Sequence, residues 1–212
     1  MRHVTPRVYL FLCGLLFLPL VCRAAEKPKV RAVTAFVRLD RPQYQAQIRE
    51  ALGMLRKAKA EFENAGYEVQ TLRITTQPFP QYTSGLTREQ ALAFFHDYGA
   101  LAIKESFIAN IGPAMLQDTD DPAQVELLGE ILSTTKGLIS SVIIAGEDGI
   151  HWDAIRASAK MVKYVADHSP RSQGNFSFAA TAMLAPYAPF YPGSYHTGEG
   201  HQFSVGLEGR ML

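Results

Sequence analysis

The chain has 212 residues, of which 47% are apolar and 19% charged, and its net charge is +1. That length can enclose one sizeable core, and the composition is that of an ordinary globular protein. The charge excludes nucleic-acid binding driven by bulk electrostatics, and no heptad pattern or solenoid repeat is present.

The first segment has the layout of a secretory signal. Arg2, His3 and Arg7 precede an apolar run from Val8 to Cys22, which is followed by Arg23-Ala24-Ala25. A basic start, an apolar middle and a small residue at the cut make cleavage after Ala24 the expectation, with an uncleaved anchor as the alternative. The run is shorter than the roughly 20 residues of a comfortable membrane span. Both cysteines, Cys13 and Cys22, lie inside it, so the mature chain would have no disulfide, thiolate metal site or cysteine nucleophile. Removing residues 1–24 takes away Arg2, Arg7 and Arg23 and no acid, which moves the net charge from +1 to −2.

After a polar linker over residues 25–29, Val30–Leu39 reads as a strand covered on both faces. Asp40 offers an N-cap and Pro42 a first-turn residue for a long helix. Its apolar stripe is Tyr44, Ile48, Leu52, Leu55, Ala58, Phe62 and Ala65, and Gly66 ends it. Tyr67–Thr75 alternates as a strand. Thr87 and Gln90 form a capping box for a helix expected to stop at Gly99. Ala100–Ile103 and Phe107–Ile111 could each be a short strand. Asp121-Pro122 opens a further helix that Gly137 stops, and Leu138–Ala145 is the clearest buried strand. The turn Gly146–Gly149 leads to a helix over Trp152–His168. Two strands, Phe176–Leu184 and Gln202–Leu207, flank a Pro/Gly/Tyr loop. Alternating strands and helices imply a mainly parallel sheet with covering helices, with functional groups at the carboxyl ends of the strands.

Several runs together resemble one family: VRAVTAFVRL, AGYEVQTLRITTQPFP, ANIGPA and, above all, NFSFAATAMLAPYAPFYPGSYHTGEGHQFSVGLEG. They are similar to the N-terminal part of the domain-of-unknown-function 711 family, over roughly Val30 to Gly209. The resemblance implies an α/β barrel of the kind seen in pyruvate formate-lyase-like glycyl radical enzymes. It does not imply their chemistry, because neither a radical-bearing glycine motif nor a barrel-loop cysteine pair is present. Family members are longer, so the expectation is a single domain over residues 30–212 that forms a partial barrel. Self-association or a partner chain would then supply the missing half. No catalytic role carries over from the family.

The candidate sites come from the residues themselves. In Ser194–His201, His196 and His201 stand five residues apart with Glu199 between them. Imidazoles with a carboxylate can hold a divalent metal or act as an acid–base pair near neutral pH. Gly193, Gly198 and Gly200 allow the turns that would bring them together, although the spacing matches no specific metal motif. Glu208 ends the last strand and is a further candidate catalytic group. Tyr191 and Tyr195, among prolines, are candidates to line a small-molecule pocket. Asp148 and His151, after the buried strand, are candidates for the same mouth, with helix capping the blander role for Asp148. No phosphate-binding glycine motif or nucleophile elbow is present, and the Asn175 sequon begins a predicted buried strand. The reading is an exported α/β protein: an enzyme or enzyme fragment acting on a small polar metabolite through the His/Glu loop, or else a non-catalytic ligand-binding or structural module or a degenerate, truncated family member.

Overall fold

The computed structural model describes residues 27–198 and 200–208. The expected signal, both cysteines and Glu199 therefore lie outside the described residues. The main elements are β1 Val30–Val37, α1 Tyr44–Asn64, β2 Leu72–Thr76, α2 Arg88–Lys104, β3 Ile108–Asn110, α3 Ala123–Thr134, β4 Leu138–Gly146, β5 Gly149–Ile150, α4 Trp152–His168, β6 Phe178–Ala182 and β7 Gln202–Leu207, with a single helical turn, Pro80–Thr83, between β2 and α2. A 3-10 turn, Arg41–Gln43, leads into α1, and another, Pro170–Ser177, leads into β6. None of the described helices is long and apolar enough to cross a membrane.

The expected α/β architecture is present: β1, β2, β3, β4 and β6 are parallel neighbours in chain order. β7 adds antiparallel to β1, and β5 folds back as a hairpin on the end of β4. Among the described residues the sheet is open, with β7 at one end. Strands that follow one another in this order place their connecting helices on one face. Burial agrees with that placement. Val33, Ala35, Ile74, Ala109, Leu138 and Val142 share one core with Ile48, Leu52, Leu55, Phe95, Leu128 and Val165 from the helices. The alternate strand residues Ala32, Phe36, Ile139 and Ile143 are buried but lie outside that core, on the opposite, inner face.

Several local expectations need correction. Gly99 does not stop a helix; α2 runs through it to Lys104, and so Ala100–Ile103 is helix and not strand. A Cβ at position 99 would meet Thr135 Cγ2 and would stand 2.6 Å from Lys136 O, so this glycine serves close packing. Asp40 makes no side-chain cap. Instead the Gln47 amide accepts from Asp40 N at 2.8 Å and donates to Arg38 O at 3.0 Å. The capping box Thr87/Gln90 is present as expected.

Candidate functional site

The loop between β6 and β7 lies across the inner face of the sheet. Asn110 Nδ2 donates to Pro192 O at 3.0 Å, and Arg73 Nη1 donates to Phe190 O at 3.2 Å and Pro189 O at 3.4 Å. Tyr187 packs edge-on against Phe36 of β1, and His196 packs edge-on against Tyr187. His196 N donates to Thr76 O at 3.0 Å, which ties the loop to the carboxyl end of β2. Its glycines permit the path, since Gly198 and Gly200 both have positive φ.

This path separates the two histidines in environment. His196 is 1% exposed, with Nε2 2.8 Å from Gly200 O and Nδ1 buried without a partner. His201 is exposed. The bond to Gly200 O makes Nε2 the protonated nitrogen, which leaves Nδ1 as the one lone pair His196 could offer a ligand. Among the described residues no three His, Cys, Asp or Glu side chains gather as a metal site.

His201 lines the larger hollow on this end of the sheet, a cavity of about 760 Å³. The remaining walls come from the segments that follow β1 and β2: Arg38, Asp40 and Arg41 on one side, Gln77, Gln81 and Ser84 on the other. The Gln77 amide fixes this rim, accepting from Leu39 N at 2.8 Å and donating to Leu39 O at 2.9 Å. Arg41 Nη1 donates to Tyr82 O at 3.2 Å. The buried Tyr82 hydroxyl donates to Ile111 O at 3.1 Å, and burial pushes its pKa well up. A smaller hollow of about 60 Å³ adjoins His196, Tyr195, Arg38 and Gln77. The carboxyl-end location expected from the βα pattern therefore holds a polar cavity. Of the residues lining it, His201 alone is a site candidate by sequence, and Asp40 reads there only as an N-cap. The two arginines, Gln77 and Gln81 belong to short segments between the main elements, and their sequence carries no motif.

The other candidates are scattered. Asp148 and His151 sit at the β4–β5 hairpin, separated from β1 by β2 and β3. His151 is 2% exposed, with Nδ1 3.0 Å from Ile143 O and Nε2 2.9 Å from Asp148 Oδ1. The Asp148 hydrogen bond raises the His151 pKa against the opposing effect of burial, and the Asp148 pKa is lowered in return. Asp148 does not cap α4. That role belongs to Asp118, whose Oδ1 accepts from Asp153 N at 2.7 Å and Ala154 N at 3.1 Å. Tyr191 lies against the Arg73 guanidinium, 5.2 Å from ring centroid to Cζ, and burial raises its pKa. Burial also raises the Tyr195 pKa. Glu208 is at the wrong end of the sheet for a shared mouth. Because β7 is antiparallel, Leu207 pairs with Val30 while Gln202 pairs with Phe36. Glu208 accepts from Gln70 Nε2 at 2.9 Å there.

Comparison with known proteins gives two matches. The model of the family described as "Uncharacterised ACR (DUF711)" matches residues 23–212. A "UPF0210 protein" from Pyrobaculum islandicum is 36% identical over 77 residues. Those residues are 36% of this chain and 16% of the relative, so the relative is the longer protein.

Proposed function

We propose, for a chain that belongs to the uncharacterised DUF711 family, that it binds a small polar metabolite in the hollow at the carboxyl ends of β1 and β2. One observation carries this reading: the 760 Å³ cavity stands where ligands of parallel α/β sheets collect, and its walls present two arginines, amides and a histidine. Arg41 recognises an anionic or strongly polar group, and His201 supplies an imidazole on the same wall. An enzyme would use His201 as the acid or base; a non-catalytic module would use the same walls for binding alone. Glu199 is assigned to the same loop from the sequence.

Native mass spectrometry of the purified chain tests this. A bound small molecule is expected in the natural protein and lost in Arg41→Ala and His201→Ala. His201 is exposed, so its removal should alter stability by no more than about 0.5 kcal/mol. Absence of any bound molecule, together with no stabilisation by small carboxylates, phosphates or sugars, defeats the reading. Metal dependence is checked in the same preparation by adding zinc or manganese and following the melting temperature.

We also propose that residues 1–24 direct export. The pattern of Arg2 to Ala25 supports it, and the family match begins at residue 23, beside the expected cut. N-terminal sequencing of the cellular product should begin at Ala25; a product beginning at Met1 would mean an uncleaved anchor.

A further inference from the structure

The inner face of the sheet holds a row of polar groups that the fold leaves unused. Ser204 of β7 pairs with Thr34 of β1, and Thr34 pairs with Arg73 of β2, so the three side chains stand beside one another on one face. Thr75 follows Arg73 on the same face. Thr34 and Thr75 are fully buried and Arg73 is 2% exposed. Thr34 Oγ1, Thr75 Oγ1, Ser204 Oγ and Arg73 Nε are all buried with no hydrogen-bond partner. Arg73 forms no ion pair among the described residues. Its contacts are the Tyr191 ring and two neutral carbonyls, Phe190 O at 3.2 Å and Pro189 O at 3.4 Å. A buried guanidinium without a carboxylate, ringed by orphaned hydroxyls, is costly to keep, and a core made only for stability would not hold it.

We propose that Arg73, Thr34 and Thr75 form a binding site for a small oxyanion, a carboxylate or phosphate group, beneath the 189–191 segment. The guanidinium offers Nε and its terminal nitrogens as a fork that matches two oxygens of such a group. The threonine hydroxyls donate to the remaining oxygens. The Pro189 and Phe190 carbonyls stand in for those oxygens when the site is empty, at the long end of hydrogen-bond distance. Entry requires that segment to move off the guanidinium. The site lies along the strands from the hollow at their carboxyl ends and does not rest on the function proposed for that hollow.

The test is thermal denaturation and titration calorimetry of the purified chain with sodium phosphate, with sodium malonate and with sodium chloride at equal ionic strength. Phosphate or malonate should raise the melting temperature above the chloride control, and the stronger of the two identifies the source of the oxyanion. Arg73→Lys keeps the charge but loses the fork, and should weaken binding by about tenfold or more. The double variant Thr34→Val/Thr75→Val should fold at least as stably as the natural chain in chloride, because it removes orphaned hydroxyls, yet bind the anion less tightly. If Arg73 is only a strap for the loop, that variant gains stability and responds to the anion like the natural chain, and the inference fails. It also fails if neither anion exceeds chloride, or if His201→Ala abolishes the response while Arg73→Lys keeps it.

Discussion

The two faces of this sheet are made by the same strands and have opposite characters. The helix-covered face is dry and aliphatic, with Val33, Ala35, Ile74 and Val142 packed against Leu52, Leu55, Phe95 and Leu128. The inner face is equally buried but carries Thr34, Arg73, Thr75, Asn110 and Ser141. Burial alone therefore does not identify a core. The polar strand side chains of the first face, Thr76 and Ser140, donate to Gln77 O and Gly112 O, and the burial of its apolar residues stabilises at roughly 25 cal/mol per Å². The second keeps groups that burial penalises, and such groups mark a surface shaped by a requirement other than stability.

The contrast is broken most forcibly from the dry side. Phe95 is fully buried and packs edge-on against Phe79, Tyr82 and Phe94. Phe95→Ala should cost about 3–5 kcal/mol, measured by urea denaturation. A cost under about 1 kcal/mol would mean that the helical layer does not carry the fold.

His151 sharpens the comparison, being buried and polar yet partnered at both ring nitrogens. Its pKa is raised in the folded chain, so its contribution is fully present below its ordinary value near 6.5 and disappears as pH rises through the folded value. The Asp148 pKa is lowered, so its contribution is present above its ordinary value near 3.8 and disappears as pH falls through the folded value. The pair therefore stabilises most between those two ordinary values. Asp148→Asn should lower the His151 pKa in an NMR titration, lower stability within that range and weaken its pH dependence on either side; an unchanged His151 titration would show that the pair does not form.

Thr75→Val should have the smallest effect, a change of at most about 1 kcal/mol, with a gain in stability the expected sign. A loss comparable to that of Phe95→Ala would erase the distinction between the faces.

Much of the architecture was legible because it rests on local patterns. The run from Leu138 to Ala145, the Thr87/Gln90 box and the stripe of Tyr44, Ile48, Leu52 and Leu55 each predict their element from a few residues. What escaped depends on pairing. Alternation in Tyr67–Thr75 shows that Arg73 and Thr75 share a face, but only the sheet order and the covering loop turn that face inward. Glu208 does end the last strand, but nothing local to Gln202–Leu207 reveals that this strand runs antiparallel to β1 and so which end of the sheet Glu208 occupies. Gly99 has the local look of a stop because a glycine that lets a neighbouring backbone approach resembles, in sequence, one that ends a helix. The loop histidines illustrate the same limit. Five residues of spacing do not say that one will be tied to Thr76 and sealed while the other faces the cavity.

Glu208 N donates to Lys29 O at 2.9 Å, so among the described residues the start of β1 and the end of β7 meet at a single point. That point lies at the foot of β1, and the polar hollow opens at its head. A group joined directly at Lys29 or Glu208 is thereby kept the full height of the sheet away from the mouth. A tether, a fused reporter or an immobilising surface joined there should leave solute access to the cavity unobstructed.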